Sequence, residues 1–161
     1  MSERRTSERI GDLLVRRGII SPRQLEQALS LQQSSGIFLG AILVGEGWIS
    51  AEALLGVLSE QFGIPVEMLA PERVDWELAK QFPSSVLAEG RCFPIRATEN
   101  TITVAIINPL DVAALSTFER AARYRTVQPI LVLERELQAV VRAWRQRSLA
   151  NLSSRLDQPE A

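Results

Sequence analysis

The sequence contains no histidine. That removes a histidine general base, the Ser-His and Cys-His nucleophile pairs, and the common zinc ligand sets. A single cysteine, Cys92, excludes an internal disulfide. It lies in an apolar run and reads as a small core residue rather than a nucleophile. No apolar run approaches the roughly 20 residues that cross a bilayer. The opening MSERRTSERI lacks the apolar core of a signal peptide, so the chain reads as cytoplasmic and without a membrane span. The pattern G-x-x-x-x-G-K-[ST] is missing, and with it a P-loop for a nucleoside triphosphate. Carboxylates such as Asp12 and Glu46 stand in no acid–base constellation. Neither an enzyme nor a cofactor is expected.

Charge is equally uninformative as an attractant. The net charge is −1, so no global field draws in nucleic acid or an anionic membrane. Lysine is nearly absent: Lys80 stands alone among 18 basic residues, the rest being arginine. What remains is an ordinary globular mix, 46% hydrophobic and 23% charged over 161 residues. That length suits one domain or two small ones.

Within it the chain repeats itself. RIGDLLVRRGIISPRQLEQALSLQ (9–32) returns after five residues as FLGAILVGEGWISAEALLGVLSEQ (38–61). At an offset of 29, ten of the 24 positions are identical, where chance gives about two. Such a duplication organises everything else.

Each unit predicts two short helices around a turn. Gly18 and Gly47 fit the left-handed position just past a helix end. Ser21 and Ser50 cap the second helices. Pro22 takes the first helical position, and Gln24 completes a Ser-x-x-Gln capping box. Ser50 lacks the box, because Ala53 replaces the glutamine, although Glu52 still suits the helix dipole. Gly11 and Gly40 are not explained by capping. Both fall early in a helix, where glycine costs roughly 1 kcal/mol against alanine. They mark places where something approaches the backbone closely: the unit's other helix, or a flat ligand. Gln32 and Gln61 raise the same question, being polar on an apolar face. Two such units suit a ligand that is itself two-fold.

The doubled pattern, carried by Arg9, Gly11, Leu14, Gly18, Ile20, Leu25, Leu29 and Gln32 and repeated except that Phe38 replaces the arginine, resembles the N-terminal domain of type II secretion and type IV pilus assembly ATPases, whose ligand-binding form is the MshEN domain. FGIPVEML (62–69) and residues 83–144 are similar to the rest of that domain, so the resemblance covers about residues 7–146. It implies binding of cyclic di-GMP, one unit for each half, with the ligand set Arg9, Ile10, Gly11, Leu14, Gly18, Gln32, Phe38, Leu39, Gly40, Leu43, Gly47, Gln61 and, from the second half, Asp111. An arginine fork suits guanine O6 and N7, the glutamines a base edge or ribose, and the glycine N–H groups a phosphate. Ile10/Leu39 and Leu14/Leu43 would pack on the purines. Phe38 departs from the pattern: it loses a charge-assisted bond of about 1.5–3 kcal/mol and can return part of it by stacking. The implied protein partner is a secretion or pilus ATPase or another bacterial protein. The alternative is a docking module of such a system that binds no nucleotide, marked by an exposed Trp48 or Phe38.

The expected fold is α+β: a duplicated helical-hairpin subdomain of four short helices (7–69), packed on a small mixed sheet subdomain of order β-β-α-β-α (70–147), then a flexible tail (148–161). Asp75 and Asp111 are placed as helix caps, and Thr98 to Asn100 as a hairpin turn. Asn108 and Asp111 form a turn with an N-cap on one reading and a ligand contact on the other. Arg91 and Arg96 read as phosphate partners or plain surface charges, the second being preferred. Arg142, Arg145 and Arg147 are placed near the end of the last helix, complementing its dipole. The ending SSRLDQPEA favours a free-standing module over an excised one.

Overall fold

Capping chemistry and apolar periodicity lay out the first half of the chain. The computed structural model describes residues 10–156, which divide into two units at Ile64/Pro65. In the first, a helix α1 (10–16) is followed by α2 (Pro22–Ser35), α3 (Leu39–Gly45) and α4 (Ala51–Phe62). Ser21 caps α2 with the full capping box, and Pro22 occupies its first turn. Ser50 caps α4 through the Ala53 N–H, with Glu52 in the first turn and no box. Ile10, Leu14, Leu39, Ile42, Leu43, Leu55 and Leu58 are buried. The four expected short helices are therefore present.

The second unit begins with a 3₁₀ turn (Pro71–Arg73) and two short helices, α5 (Trp76–Ala79) and α6 (Ser84–Ala88). Asp75 caps α5 by accepting from the Glu77 and Leu78 N–H groups. Then come β1 (Cys92–Ala97), β2 (Thr101–Ile106), α7 (Val112–Ala122), β3 (Thr126–Leu131) and α8 (Glu134–Leu156). The sheet order is β1-β2-β3, antiparallel then parallel, as a right-sized α+β unit of order β-β-α-β-α requires. The central β2 is buried on both faces, in keeping with the unbroken apolar run of residues 104–106. Phe93, Ile95, Phe118, Leu131, Leu137 and Val140 complete the core, with Phe82 stacked on Phe118 at 4.5 Å.

Pro129 sits in β3 at no cost. Even-numbered N–H groups of β3 point at β2: Thr126 donates to Asn100 O and, just past the strand, Val132 to Ile106 O. Leu131 N–H points the other way, to Pro65 O. The donor that Pro129 lacks therefore faces the open edge.

Two expected boundaries are corrected. Residues 65–69 belong to the second unit, because Val66 bridges Leu131 and the Glu67 N–H donates to Leu131 O at 3.0 Å. Residues 148–156 are not a flexible tail but the last turns of α8. The segment RQRSLANLSSRL has no glycine or proline to stop a helix, and polarity alone does not unwind one. Arg142, Arg145 and Arg147 consequently lie mid-helix. Arg145 donates to Ala88 O at 3.0 Å, and the Arg147 guanidinium stands 4.5 Å from the Trp76 ring centroid. Among the described residues no single helix is long and apolar enough to cross a membrane.

Candidate functional site

The duplication recurs in the turn and cap hydrogen bonds of the two units, the Gln24 capping box excepted. After α1, the Gly18 N–H donates to Val15 O at 2.9 Å and the Ile19 N–H to Leu14 O at 3.0 Å. After α3, Gly47 donates to Val44 O at 3.0 Å and Trp48 to Leu43 O at 3.0 Å. Both glycines hold the left-handed conformation, at φ 69° and 73°, a backbone that a side chain would strain. Both serine caps accept at 3.1 Å, Ser21 from Gln24 and Ser50 from Ala53.

Gly11 and Gly40 receive one explanation. A Cβ on Gly11 would lie 2.5 Å from Leu25 Cδ1, and a Cβ on Gly40 2.8 Å from Leu54 Cδ2. Leu25 and Leu54 are themselves repeat equivalents, so each unit closes its helical hairpin by laying a leucine across a glycine. On the Cβ side of each glycine the body that approaches is thus a side chain of the unit's other helix. Ile10, Leu14, Leu39 and Leu43 are at most 4% exposed. They build the core of the repeat. The cause is their position on the inward stripe of α1 and α3.

The remaining polar positions lie further out. Gln32 and Gln61, near the ends of α2 and α4, are half-buried. Phe38 is the N-cap of α3, offers no side-chain cap and is exposed together with Ile37 and Leu31. Trp48 is half-buried. A shallow depression of about 570 Å³ is lined by Asp12, Val15, Arg16, Pro22 and Leu25. Arg17 and Glu60, both well exposed, form an ion pair between the end of α1 and α4, a contact of small energetic value. Arg9 lies outside the described residues.

In the second unit Asp111 is fully engaged. Its carboxylate accepts from Arg91 Nε at 2.7 Å and Nη2 at 2.6 Å, and from the Ala114 N–H at 3.2 Å as the α7 cap. Asn108 Oδ1 accepts from the Leu110 N–H at 2.9 Å, closing the turn. The geometry supports the turn-and-cap reading of this pair over a ligand contact. The Arg91 guanidinium is held still more firmly protonated by that bond. Arg96 is likewise not a plain surface charge: its Nη1 and Nη2 donate to Glu67 at 3.0 and 2.8 Å, and that bond lowers the Glu67 pKa. Neither partnership has a local signature, the partners being 20 and 29 residues apart. Burial pushes the Cys92 thiol up to about 12, consistent with core. Among the described residues no cluster of three or more His, Cys, Asp or Glu side chains is placed to hold a metal ion.

Comparison with known proteins connects these features. The solved structure of MshE with cdg matches with a TM-score of 0.73 at 28% identity, over 84% of this chain and 97% of that one. The N-terminal domain of XpsE matches with a TM-score of 0.65 at 18% identity, over 86% and 95%, a likeness of fold alone. The type IV pilus assembly ATPase PilB of Myxococcus xanthus (strain DK1622) is 31% identical over 118 residues, 73% of this chain and 21% of PilB. Bacteriophage adsorption protein B of Escherichia coli (strain K12) is 27% identical over 135 residues, 84% of this chain and 18% of that protein. The chain spans about a fifth of the length of these curated relatives. The MshEN domain family matches residues 62–151, the half whose sequence pattern is the looser of the two, rather than the doubled motif. That match takes in more than half of the sequence, and the chain belongs to the MshEN domain family.

Proposed function

We propose that this chain is a non-catalytic regulatory module of the kind found in secretion and pilus ATPases, and that its ligand is cyclic di-GMP. The observation that carries the reading is the likeness to MshE with cdg, at 28% identity over almost the whole of that chain. The duplicated turn and cap bonds support it, since two equivalent half-units suit a ligand with two equivalent halves. The groups assigned to contact are Arg9, the backbone about Gly11, Gly18, Gly40 and Gly47, the half-buried Gln32 and Gln61, and Phe38 as a stacking face. The buried apolar residues of the motif support these groups from beneath. Binding changes how the module engages a protein partner, for which the curated relatives suggest an ATPase of a pilus or secretion machine.

The test is calorimetric titration with cyclic di-GMP, with GTP as control. Selective, saturable binding that Arg9→Ala removes and Phe38→Arg strengthens is expected. Absence of heat at about 100 μM ligand places any interaction weaker than roughly 5–6 kcal/mol and ends the nucleotide reading. A second reading, a docking module without nucleotide, is favoured by the exposed group Leu31, Ile37 and Phe38. It predicts that Phe38→Arg weakens partner binding and creates no nucleotide site.

A further inference from the structure

Arg123, at the end of α7, has φ 62° and ψ −115°. Among the described residues it is the one non-glycine with positive φ, while Gly18, Gly36, Gly47, Gly63 and Gly90 hold the other such positions. Glycine is used wherever else the described backbone turns that way. A non-glycine there is strained, and strain of this kind persists where the side chain has a use. Complementing the α7 dipole is not that use, because Arg120, in the last turn, supplies it without strain.

Beside Arg123 the second unit has a cavity of about 340 Å³. Phe82 and Ile102 contribute apolar wall, Gln81 a donor and an acceptor, and Arg123, Tyr124 and Arg125 the rim. The cavity's volume lies at the small end of the range for ligand clefts, the scale of a single ring with one substituent. Tyr124 is 78% exposed. The Arg125 guanidinium stands 5.9 Å from its ring centroid, a cation–π arrangement that holds both side chains at the rim. Neither Arg123 nor Arg125 forms an ion pair among the described residues. Two forked cations beside a ring and over a partly apolar cavity match a flat ring that carries a phosphate or carboxylate.

We propose that this cavity between α7 and β3 is a binding site for a small aromatic anion, separate from the doubled motif and independent of whether that motif binds nucleotide. Phenyl phosphate is the probe, followed by NMR at the Ile102 methyls and the Tyr124 ring, with inorganic phosphate, phenol and benzoate alongside. Saturable shifts are expected with phenyl phosphate or benzoate, and at least tenfold weaker binding for phosphate and phenol alone. Arg125→Gln should weaken binding tenfold or more. Arg123→Gly should weaken it similarly while raising the thermal midpoint, a split that a structural arginine would not produce. Absence of shifts at about 10 mM probe, equal binding by inorganic phosphate, or binding unchanged in both variants would overturn the site. A lower midpoint for Arg123→Gly would overturn the strain argument on which it rests.

Discussion

Gly11 and Leu25 are in such close contact that a methyl group on the glycine would lie 2.5 Å from the leucine Cδ1. The same relation joins Gly40 to Leu54 at 2.8 Å. Gly11→Ala gains about 1 kcal/mol of helix propensity but forces Leu25 to move, and overpacking costs about 1–3 kcal/mol. A net loss of about 1 kcal/mol is expected in urea unfolding. Combined with Leu25→Ala the loss from Gly11→Ala should vanish, because the obstructing methyl is gone. Additive effects would show that the contact is not the constraint.

Asp111 is both a helix cap and the acceptor of a bidentate arginine. Asp111→Ala removes both and should cost about 2 kcal/mol. Asp111→Asn keeps a capping oxygen and should cost about half as much. The Arg91 side chain is 41% exposed, so Arg91→Ala alone should cost no more than about 1 kcal/mol. A double-mutant cycle isolates the pair; a coupling near zero would reduce Asp111 to its cap.

Cys92 is 5% exposed and its thiol is pushed up to about 12 by burial. Against the ordinary thiol value of 9.0 this means about a thousandfold less thiolate at pH 8. The native protein should resist a thiol-reactive disulfide reagent that labels the unfolded chain at once. The sign for stability follows: the native state keeps a proton that the unfolded state releases, so the contribution is whole below pH 9 and declines as pH rises towards 12. Cys92→Ala should flatten that decline.

Glu67 runs the opposite way. Its hydrogen bond to Arg96 lowers its pKa below the ordinary value of 4.5. The stabilisation is complete above that value and is lost as pH falls through the lowered native one. With side-chain exposures of 32% and 54% the effect is modest, up to about 1 kcal/mol. Wild type and Glu67→Gln should differ in stability near pH 7 and converge at acid pH; a constant difference would contradict the pairing.

Features governed by neighbours in sequence were legible beforehand. Ser21, Gln24, Gly18 and their counterparts obey capping rules that act within a few residues, and the β-β-α-β-α order followed from turn signals at Asn100, Asn108 and Pro109. Contacts that depend on chain return were not legible. Arg91 with Asp111, Arg96 with Glu67, and Val66 against Leu131 leave no periodic trace. The motif's apolar positions are ambiguous for another reason: Ile10 and Leu14 look the same in sequence whether they face a ligand or a core. Over 148–156 polarity points to a tail, whereas the lack of glycine and proline favours continued helix.

Pro129 sits where β3 is unpartnered on its outer side, and its missing N–H faces outwards. A strand from another copy of the chain, offered to that edge, would find no donor at the middle of the strand, and would meet the segment about Val66 already bonded at one end. The fold thus carries a guard against edge-to-edge aggregation that leaves its own sheet intact.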